Sequence, residues 1–172
     1  MRDSLDIALV RVDNRLVHGQ ILEAWVPFLN ASCIVVADDQ VASDFFRETV
    51  IRMAVPSDVR VVINSVAELA ENTVFQRGCG PTTIVLFSTV SAAWTAYTLG
   101  FRFDKLNIGN IYNDECRLCC TQSVQLNDED IRDITGLRNV GVQIELRRVP
   151  REKPVDLFEI VRRMGPDAPT PV

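Results

Sequence analysis

The sequence has only one histidine, His18, among its 172 residues. A mechanism that needs an imidazole must use this residue, and a metal site with two histidine ligands from one chain is excluded. Long apolar runs are lacking as well. The runs at 34–37 and 84–87 are far shorter than the roughly 20 residues that span a bilayer, and residues 1–13 contain no long apolar segment of the kind found in secretory signals. We therefore expect a soluble, cytoplasmic protein without a metal site.

An excess of positive charge is also lacking. Lys and Arg together number 18 against 23 for Asp and Glu, which gives a net charge of -5. Such a chain offers no basic surface for a phosphate backbone, so we expect no nucleic-acid partner. A hydrophobic content of 47% is typical of a folded globular protein, and the length fits one domain. We place this domain at 1–164 and predict that the proline-containing tail at 165–172 is disordered.

Cysteine is present, but in an odd number and without a regular spacing. Five scattered cysteines in a chain of this size do not indicate a disulfide framework, so we predict reduced thiols. Cys116 and Cys119 have the spacing of half a zinc site or of a redox pair. Further ligands at a matching spacing are missing, and 118–124 has the pattern of a strand where a thioredoxin-like pair would begin a helix. We therefore favour reduced thiols over metal or redox chemistry.

Apolar strand patterns alternate with helical patterns along the chain. The predicted strands are 7–12, 33–37, 59–63, 82–87, 105–109 and 142–149, and the predicted helices include 38–53, 65–76 and 88–99. This alternation predicts an α/β fold, a single domain with a doubly wound, mostly parallel sheet and helices on both faces. The last strand alternates apolar and polar residues, which indicates a half-exposed or edge position.

Local signals predict where the helices begin and which faces they bury. Apolar residues at helical spacing after Gly19 predict one buried face that contains Ile21, Leu22, Trp25, Phe28 and Leu29. Helix starts are predicted at Asp38 and Asp39, at Asn64 or Ser65, and at Asn127. Asp38 and Asp39 also allow a magnesium-dependent aspartyl phosphate site, but capping explains them more simply.

The segment 11–20 carries the chemistry of the sequence. It combines two arginines, one carboxylate and the only imidazole at a strand-to-helix junction, and ligands of such folds bind beyond the carboxyl ends of strands. A neutral imidazole is a good nucleophile near neutral pH because its ordinary pKa is ~6.5. Arg15 offers a planar fork to phosphoryl oxygens, and Asp13 either orients His18 or holds Arg15. The alternative is a surface ion pair between Asp13 and Arg15, with His18 at a helix end.

Several residues around His18 are candidates to bind phosphate. Gly19 has no Cβ and begins a helix, so backbone amides there can approach an anion closely. Arg11 and Asn14 lie in the same segment as His18. Ser88 and Thr89 follow the fourth predicted strand at the same edge of the sheet, where their hydroxyls either contact a phosphoryl group or cap a helix.

The segment 11–20, followed by Trp25, resembles the phosphorylation-site motif of the IIB component of the mannose/fructose/sorbose family of sugar phosphotransferase systems (PTS). The likeness continues through 34–39, 106–109, 123–124, the helix start at 128–131, and 141–147, and it covers roughly 5–164. The sequence departs from the family at Asn14, usually acidic, at Asn110, usually glycine, and in the cysteine-rich segment 116–120.

The resemblance implies a doubly wound α/β domain that acts as a protein-N(π)-phosphohistidine-sugar phosphotransferase without a cofactor. His18 would accept a phosphoryl group from a phosphorylated IIA protein in trans, and Arg15 would stabilise it. The group would then pass to a sugar bound by membrane IIC and IID components. The departures from the family leave a second interpretation, a regulatory phosphocarrier that controls a partner without sugar transport. A homodimer also remains an open alternative.

Overall fold

The computed structural model describes residues 6–71, 79 and 82–163. The strands are Asp6–Asp13 (β1), Cys33–Ala37 (β2), Arg60–Asn64 (β3), Thr82–Phe87 (β4), Lys105–Asn110 (β5), Leu118–Thr121 (β6), Val124–Leu126 (β7), Gln143–Leu146 (β8) and Val155–Asp156 (β9). A π-helix at Gln20–Trp25 continues as Val26–Leu29 (α1), and the further α-helices are Asp39–Ala42 (α2), Phe45–Ala54 (α3), Val66–Ala70 (α4), Val90–Thr98 (α5), Asp128–Asn139 (α6) and Leu157–Arg163 (α7).

The main sheet has the strand order β3-β2-β4-β1-β5-β8-β9 in the described part of the chain. The first six strands in this order are parallel, whereas β9 pairs antiparallel with β8 and β6 pairs with β7 in a separate hairpin. The predicted α/β domain with a mostly parallel sheet is confirmed. The connections run in opposite directions from β1 and β4, so the crevice between these two strands is the kind of place where ligands bind in such folds.

Alternating side chains of the central strands supply two hydrophobic cores, one on each face of the sheet. On one face, Val35 and Val85 pack with residues of α4, α5, α6 and α7. On the other face, Ile34 and Ile84 pack with the π-helix, α1 and α2. Helices therefore cover both faces, and the central strands are fixed from both sides. This framework holds the end of β1 and the loop that follows it.

Several helix starts follow the predicted caps. Ser65 and Asn127 each accept a hydrogen bond from the backbone three residues on, and Glu68 and Asp130 complete the two capping boxes. Asp38 caps α2 by accepting from the Val41 amide at 2.8 Å, so the capping interpretation of this aspartate is confirmed. The predicted helix 65–76 is described only to Glu71. The turn at 78–81, apart from Cys79, and the predicted tail at 165–172 lie outside the described residues.

Three element predictions were wrong in detail. The helix predicted over 38–53 is two helices, because the Asp44 side chain accepts from the amides of Phe46 and Arg47 and so caps a new helix, α3. The strand predicted over 142–149 is shorter and is not at the edge, because β9 pairs with its outer side. Phe28 is 60% exposed, since the π-helix before it changes the helical spacing on which the predicted buried face depended.

The prediction that all five cysteines are reduced was also wrong. Cys116 and Cys119 form a disulfide. Their Cα atoms are 6.0 Å apart, which is within the range a disulfide can bridge. Cys33, Cys79 and Cys120 are thiols. Within 6–71, 79 and 82–163, no three His, Cys, Asp or Glu side chains are grouped so that they could hold a metal ion. The described helices include none that is long and apolar enough to cross a membrane.

Candidate functional site

His18 lies in the loop between β1 and the π-helix, at the carboxyl edge of the sheet. Its side chain is 17% exposed. Nε2 lies 2.9 Å from Oδ2 of Asp13, and Nδ1 lies 3.3 Å from the backbone nitrogen of Gln20. A backbone N–H can only donate, so Nδ1 is an acceptor and the ring proton is on Nε2. The lone pair of Nδ1 is therefore the nucleophilic position of the neutral imidazole.

Asp13, the last residue of β1, joins three of the predicted site residues. Its buried Oδ2 accepts from Arg11 at 2.9 Å as well as from His18, and Oδ1 accepts from the Arg15 backbone at 3.2 Å and from Arg15 Nε at 3.4 Å. Burial by itself would raise the pKa of Asp13. The hydrogen bond from His18 and the charge of Arg11 outweigh burial and hold this pKa below its ordinary value. The carboxylate thus stays charged while it contacts both His18 and Arg15, the two contacts that the sequence left as alternatives.

Arg11, expected to bind phosphate, is fully buried beneath the site. Its Nη1 donates to Oδ1 of Asn107 at 2.6 Å and to the carbonyl of Arg147 at 2.8 Å. The guanidinium lies 5.6 Å from the ring centroid of Trp25. Burial lowers the pKa of Arg11, and the charge of Asp13 opposes this shift. Because the side chain has no exposed surface, it does not face the solvent where an anion would arrive, and it supports Asp13 instead.

Gly109 makes room for the Arg11 guanidinium. A Cβ atom on this glycine would lie 1.8 Å from Cζ of Arg11. The pairing of β1 with β5 is irregular here: Val12 pairs with Ile108 and Asp13 with Asn110, so Gly109 is the extra residue. Bulges of this kind often redirect side chains next to functional sites.

Sequence reasoning missed Gly109 and Asn107 as parts of the site. One sequence signal pointed to such partners: Arg11 is a charged residue within an otherwise apolar strand, and a buried arginine requires hydrogen-bond partners. The partners themselves are 96 and 136 residues away along the chain, at Asn107 and Arg147.

Arg15 lies on the outer side of the site and is 45% exposed. Its Nη2 donates to Oε1 of Gln20 at 3.1 Å, so the Arg15 side chain contacts both Asp13 and Gln20, the two residues that bond to the imidazole. Asp13 and Gln20 hold the guanidinium close to His18 without removing it from solvent.

Gly19 precedes the π-helix, and a Cβ there would meet nothing closer than 4.0 Å. The protein's own packing therefore does not require glycine at this position.

Asn14 and Asn110, the two single positions at which the sequence departs from the family pattern, contact each other. The Asn110 side-chain amide donates to Oδ1 of Asn14 at 2.5 Å, and the Asn14 backbone donates to the Asn110 carbonyl at 3.0 Å. These bonds tie the His18 loop to the end of β5. The two departures therefore form one paired feature at the rim of the site.

Ser88 and Thr89 use their hydroxyls for the protein's own hydrogen bonds. Oγ1 of Thr89 accepts from the Ala92 amide at 3.0 Å and caps α5, which is the capping alternative for this residue. The Ser88 hydroxyl donates to Oδ2 of Asp38. Both residues line a cavity of about 420 Å³ together with Asn14. They share the carboxyl edge with His18, but the structure groups them with Asp38.

The fold and comparisons with known proteins define the class of the molecule as a phosphotransferase component. The family model described as "PTS system sorbose subfamily IIB component" matches residues 7–169. The fructose-specific EIIB component of Bacillus subtilis (strain 168) is 32% identical over 160 residues, which cover 93% of this chain and 98% of that protein. The chain belongs to the sorbose-subfamily IIB components of the PTS.

Two further similarities support this assignment. The crystal structure of the IIBSor domain of the sorbose permease from Klebsiella pneumoniae superimposes with a TM-score of 0.83 at 27% identity, covering 94% of this chain and 99% of that one. The mannose-specific EIIAB component of Escherichia coli (strain K12) is 24% identical over 162 residues. The match covers 94% of this chain and half of that longer protein.

Proposed function

We propose that His18 is the phosphoryl acceptor and that its reactive atom is Nδ1. The observation that carries this proposal is the contact of Nε2 with Asp13, which leaves the Nδ1 lone pair on the side of the Gln20 amide. In the transfer, Nδ1 forms a bond to phosphorus while the bond from phosphorus to the donor nitrogen breaks. The electron pair of the broken bond stays on the donor.

The charges around the imidazole support this reaction. As the bond to phosphorus forms, positive charge develops on the ring, and the Asp13 carboxylate at Nε2 stabilises it. Negative charge spreads over the phosphoryl oxygens in a loose transition state. The backbone amide of Gln20, which lies at Nδ1, and the half-exposed Arg15, which donates to Asp13 and Gln20, are the donors that would bind those oxygens.

Arg11 and Gly109 are positioning residues in this proposal. Arg11 fixes Asp13 from below through a 2.9 Å ion pair, and the missing Cβ of Gly109 leaves the space that the guanidinium occupies. Neither would contact the phosphoryl group. Their effect on transfer would act through the orientation of the Asp13 carboxylate.

The proposed donor is a phosphorylated IIA protein, and the proposed final acceptor is a sugar presented by membrane IIC and IID components on the cytoplasmic side. The assignment of the single histidine to the acceptor requires the donor histidine to lie in a IIA unit outside these 172 residues. Arg11 is fully buried and Arg15 is half exposed, so we expect Arg15 to bind the donor phosphoryl group.

A regulatory phosphocarrier is the second candidate function. The paired Asn14 and Asn110 favour it, because they change the rim of the site at the positions where the family carries acidic and glycine residues while the acceptor is kept. The two functions share phosphorylation of His18 and differ in whether the phosphoryl group then reaches a sugar.

Incubation with a phosphorylated IIA protein, followed by intact-mass and peptide analysis, tests the proposal. We expect one phosphoryl group, located on His18, in a bond that acid cleaves and base does not. Uptake of the group by His18→Ala under the same conditions would overturn the assignment. Adding membranes that contain IIC and IID then separates the candidates, because only the transport function discharges the phosphorylated protein onto sugar.

A further inference from the structure

Two cysteines that are far apart in sequence meet at the amino-terminal edge of the sheet. Cys33 begins β2 and is fully buried, whereas Cys79 precedes β4 and is partly exposed. The Cys33 thiol donates to the Cys79 sulfur, and the two Sγ atoms lie 2.7 Å apart. A covalent S–S bond is about 2.05 Å long. The thiols therefore need only a small approach to become bonded.

The start of β2, which carries Cys33, is bonded to the start of β4, which follows Cys79 in the sequence, by contacts that involve neither sulfur. The Ser32 amide donates to the Thr82 carbonyl at 3.0 Å, and the Thr82 amide donates to Oγ of Ser32 at 3.4 Å. Cys33 also pairs with Thr83 in the register of β2 and β4. The contact between the two sulfurs therefore lies beside strand pairing that does not depend on it.

We propose that Cys33 and Cys79 are a redox-active thiol pair, which a low-molecular-weight disulfide such as glutathione disulfide converts into an intramolecular disulfide. In the first step the Cys79 thiolate attacks one sulfur of glutathione disulfide, forming a mixed disulfide and releasing glutathione. The Cys33 thiol then attacks Sγ of Cys79, the bond between Cys79 and glutathione breaks, and the departing glutathione sulfur takes the Cys33 proton and leaves as the second glutathione. The protein loses two hydrogens, and the small disulfide is reduced to two thiols.

Cys79 is the attacking thiol of the pair. The hydrogen bond from Cys33 lowers the pKa of Cys79, burial opposes this shift, and the charge of Arg60 adds to the lowering. Cys120 provides an internal contrast, because burial raises its pKa to about 11. A thiol is nucleophilic only as its thiolate, so Cys79 should react before Cys120.

The pair lies at the opposite edge of the sheet from His18. Cys33 and the residues before β4 are at the amino-terminal ends of their strands, and the His18 loop follows the carboxyl end of β1. The bond would link two segments that are 46 residues apart and would restrict the unfolded chain. Oxidation should therefore raise the thermal midpoint. This inference does not depend on the proposed function.

Peptide mapping of the full-length protein tests the pair. The protein is incubated with glutathione disulfide, blocked with an alkylating reagent and digested with trypsin without reduction. Cys33 lies in peptide 16–47 and Cys79 in peptide 78–102, whereas the bond between Cys116 and Cys119 joins 106–117 to 118–132. We expect 16–47 linked to 78–102, at a mass two hydrogens below the sum of the two peptides.

Single-cysteine variants show the order of the steps. Cys33→Ala should stop the reaction at a glutathione adduct on 78–102, and Cys79→Ser should leave the buried Cys33 unmodified. In the unsubstituted protein, a lasting glutathione adduct on Cys79, or unmodified thiols at both positions after Cys120 has reacted, would overturn the proposal. A link from either cysteine to Cys120 would overturn it as well.

Discussion

In the proposed chemistry, one carboxylate is shared by three cationic or titratable groups. Asp13 contacts Arg11, Arg15 and His18, but the two arginines differ in environment. Arg11 is buried and holds the carboxylate from below, whereas Arg15 is half exposed and also donates to Gln20. The same residue type therefore has a structural task at one position and, in our proposal, an electrostatic task at the other.

Substitution of the two arginines should separate these tasks. Arg15→Ala should slow phosphoryl uptake, because losing one pre-positioned donor typically removes about 2–4 kcal/mol of transition-state stabilisation. The free energy of unfolding should change little. Arg11→Ala should lower the free energy of unfolding by about 3–5 kcal/mol, because it breaks the fully buried ion pair with Asp13 and the buried hydrogen bond to Asn107. Rapid-quench transfer rates and urea denaturation measure the two effects. Arg163→Ala, on the exposed end of α7, is the control for net charge. If both substitutions changed the transfer rate and the stability equally, the assignment of a structural role to Arg11 and an electrostatic role to Arg15 would be contradicted.

Asp13 should also make stability depend on pH. Its folded pKa is below the ordinary value, so its ionised form stabilises the folded state. This contribution is complete above the unfolded pKa of about 3.9 and is lost as the pH falls through the folded pKa. The difference in unfolding free energy between the unsubstituted protein and Asp13→Asn should therefore be largest near neutral pH and shrink below about pH 4. A difference that grows with acidification would contradict the assigned direction.

At the scale of elements, β5 shapes the site that β1 carries. The extra residue in the pairing of β1 with β5 places Gly109 against Arg11, and Asn107 and Asn110 of the same strand bind Arg11 and the His18 loop. β4, the other neighbour of β1, instead leads into the cap of α5. The site thus depends on β5, although none of the site residues predicted from the sequence lies on this strand.

Gly109→Ala should disturb the site through Arg11. The new Cβ would overlap the guanidinium, so both stability and phosphoryl uptake should fall, with uptake reduced at least tenfold if Asp13 is displaced by the shift. The control is Gly109→Ala introduced into the Arg11→Ala variant, where no guanidinium overlaps the new Cβ. In that double variant, Gly109→Ala should cause little further loss of stability or uptake. A full additional loss in the double variant would mean that Gly109 acts by another route than Arg11.

Thr89→Ala should affect the fold and leave the chemistry unchanged. The substitution removes the cap of α5 and should cost about 1 kcal/mol of unfolding free energy. Because Oγ1 bonds to the Ala92 amide, the rate of phosphoryl uptake should remain within about twofold, the scale of minor surface changes. Urea denaturation and transfer assays measure both quantities. A tenfold slower uptake at unchanged stability would restore Thr89 as a phosphate ligand.

At the scale of the whole molecule, local patterns predicted the fold well, and long-range contacts explain what they missed. The strand at Thr82–Phe87, the caps at Ser65 and Asn127 and the position of His18 after β1 follow from short segments. The burial of Arg11 depends on partners that only the assembled sheet brings close. β9 and the disulfide of Cys116 with Cys119 likewise had no decisive local signal, since a two-residue strand and an isolated pair of cysteines fit several structures.

The account rests on the claim that Asp13 holds the Nε2 proton and directs the phosphoryl group to Nδ1. Nitrogen-phosphorus correlation NMR of the ¹⁵N-labelled, phosphorylated protein measures this directly. We expect a single phosphorus nucleus coupled to Nδ1 of His18, and a protonated Nε2 that remains hydrogen-bonded to Asp13. Coupling of phosphorus to Nε2, or to a nitrogen of another residue, would contradict the account.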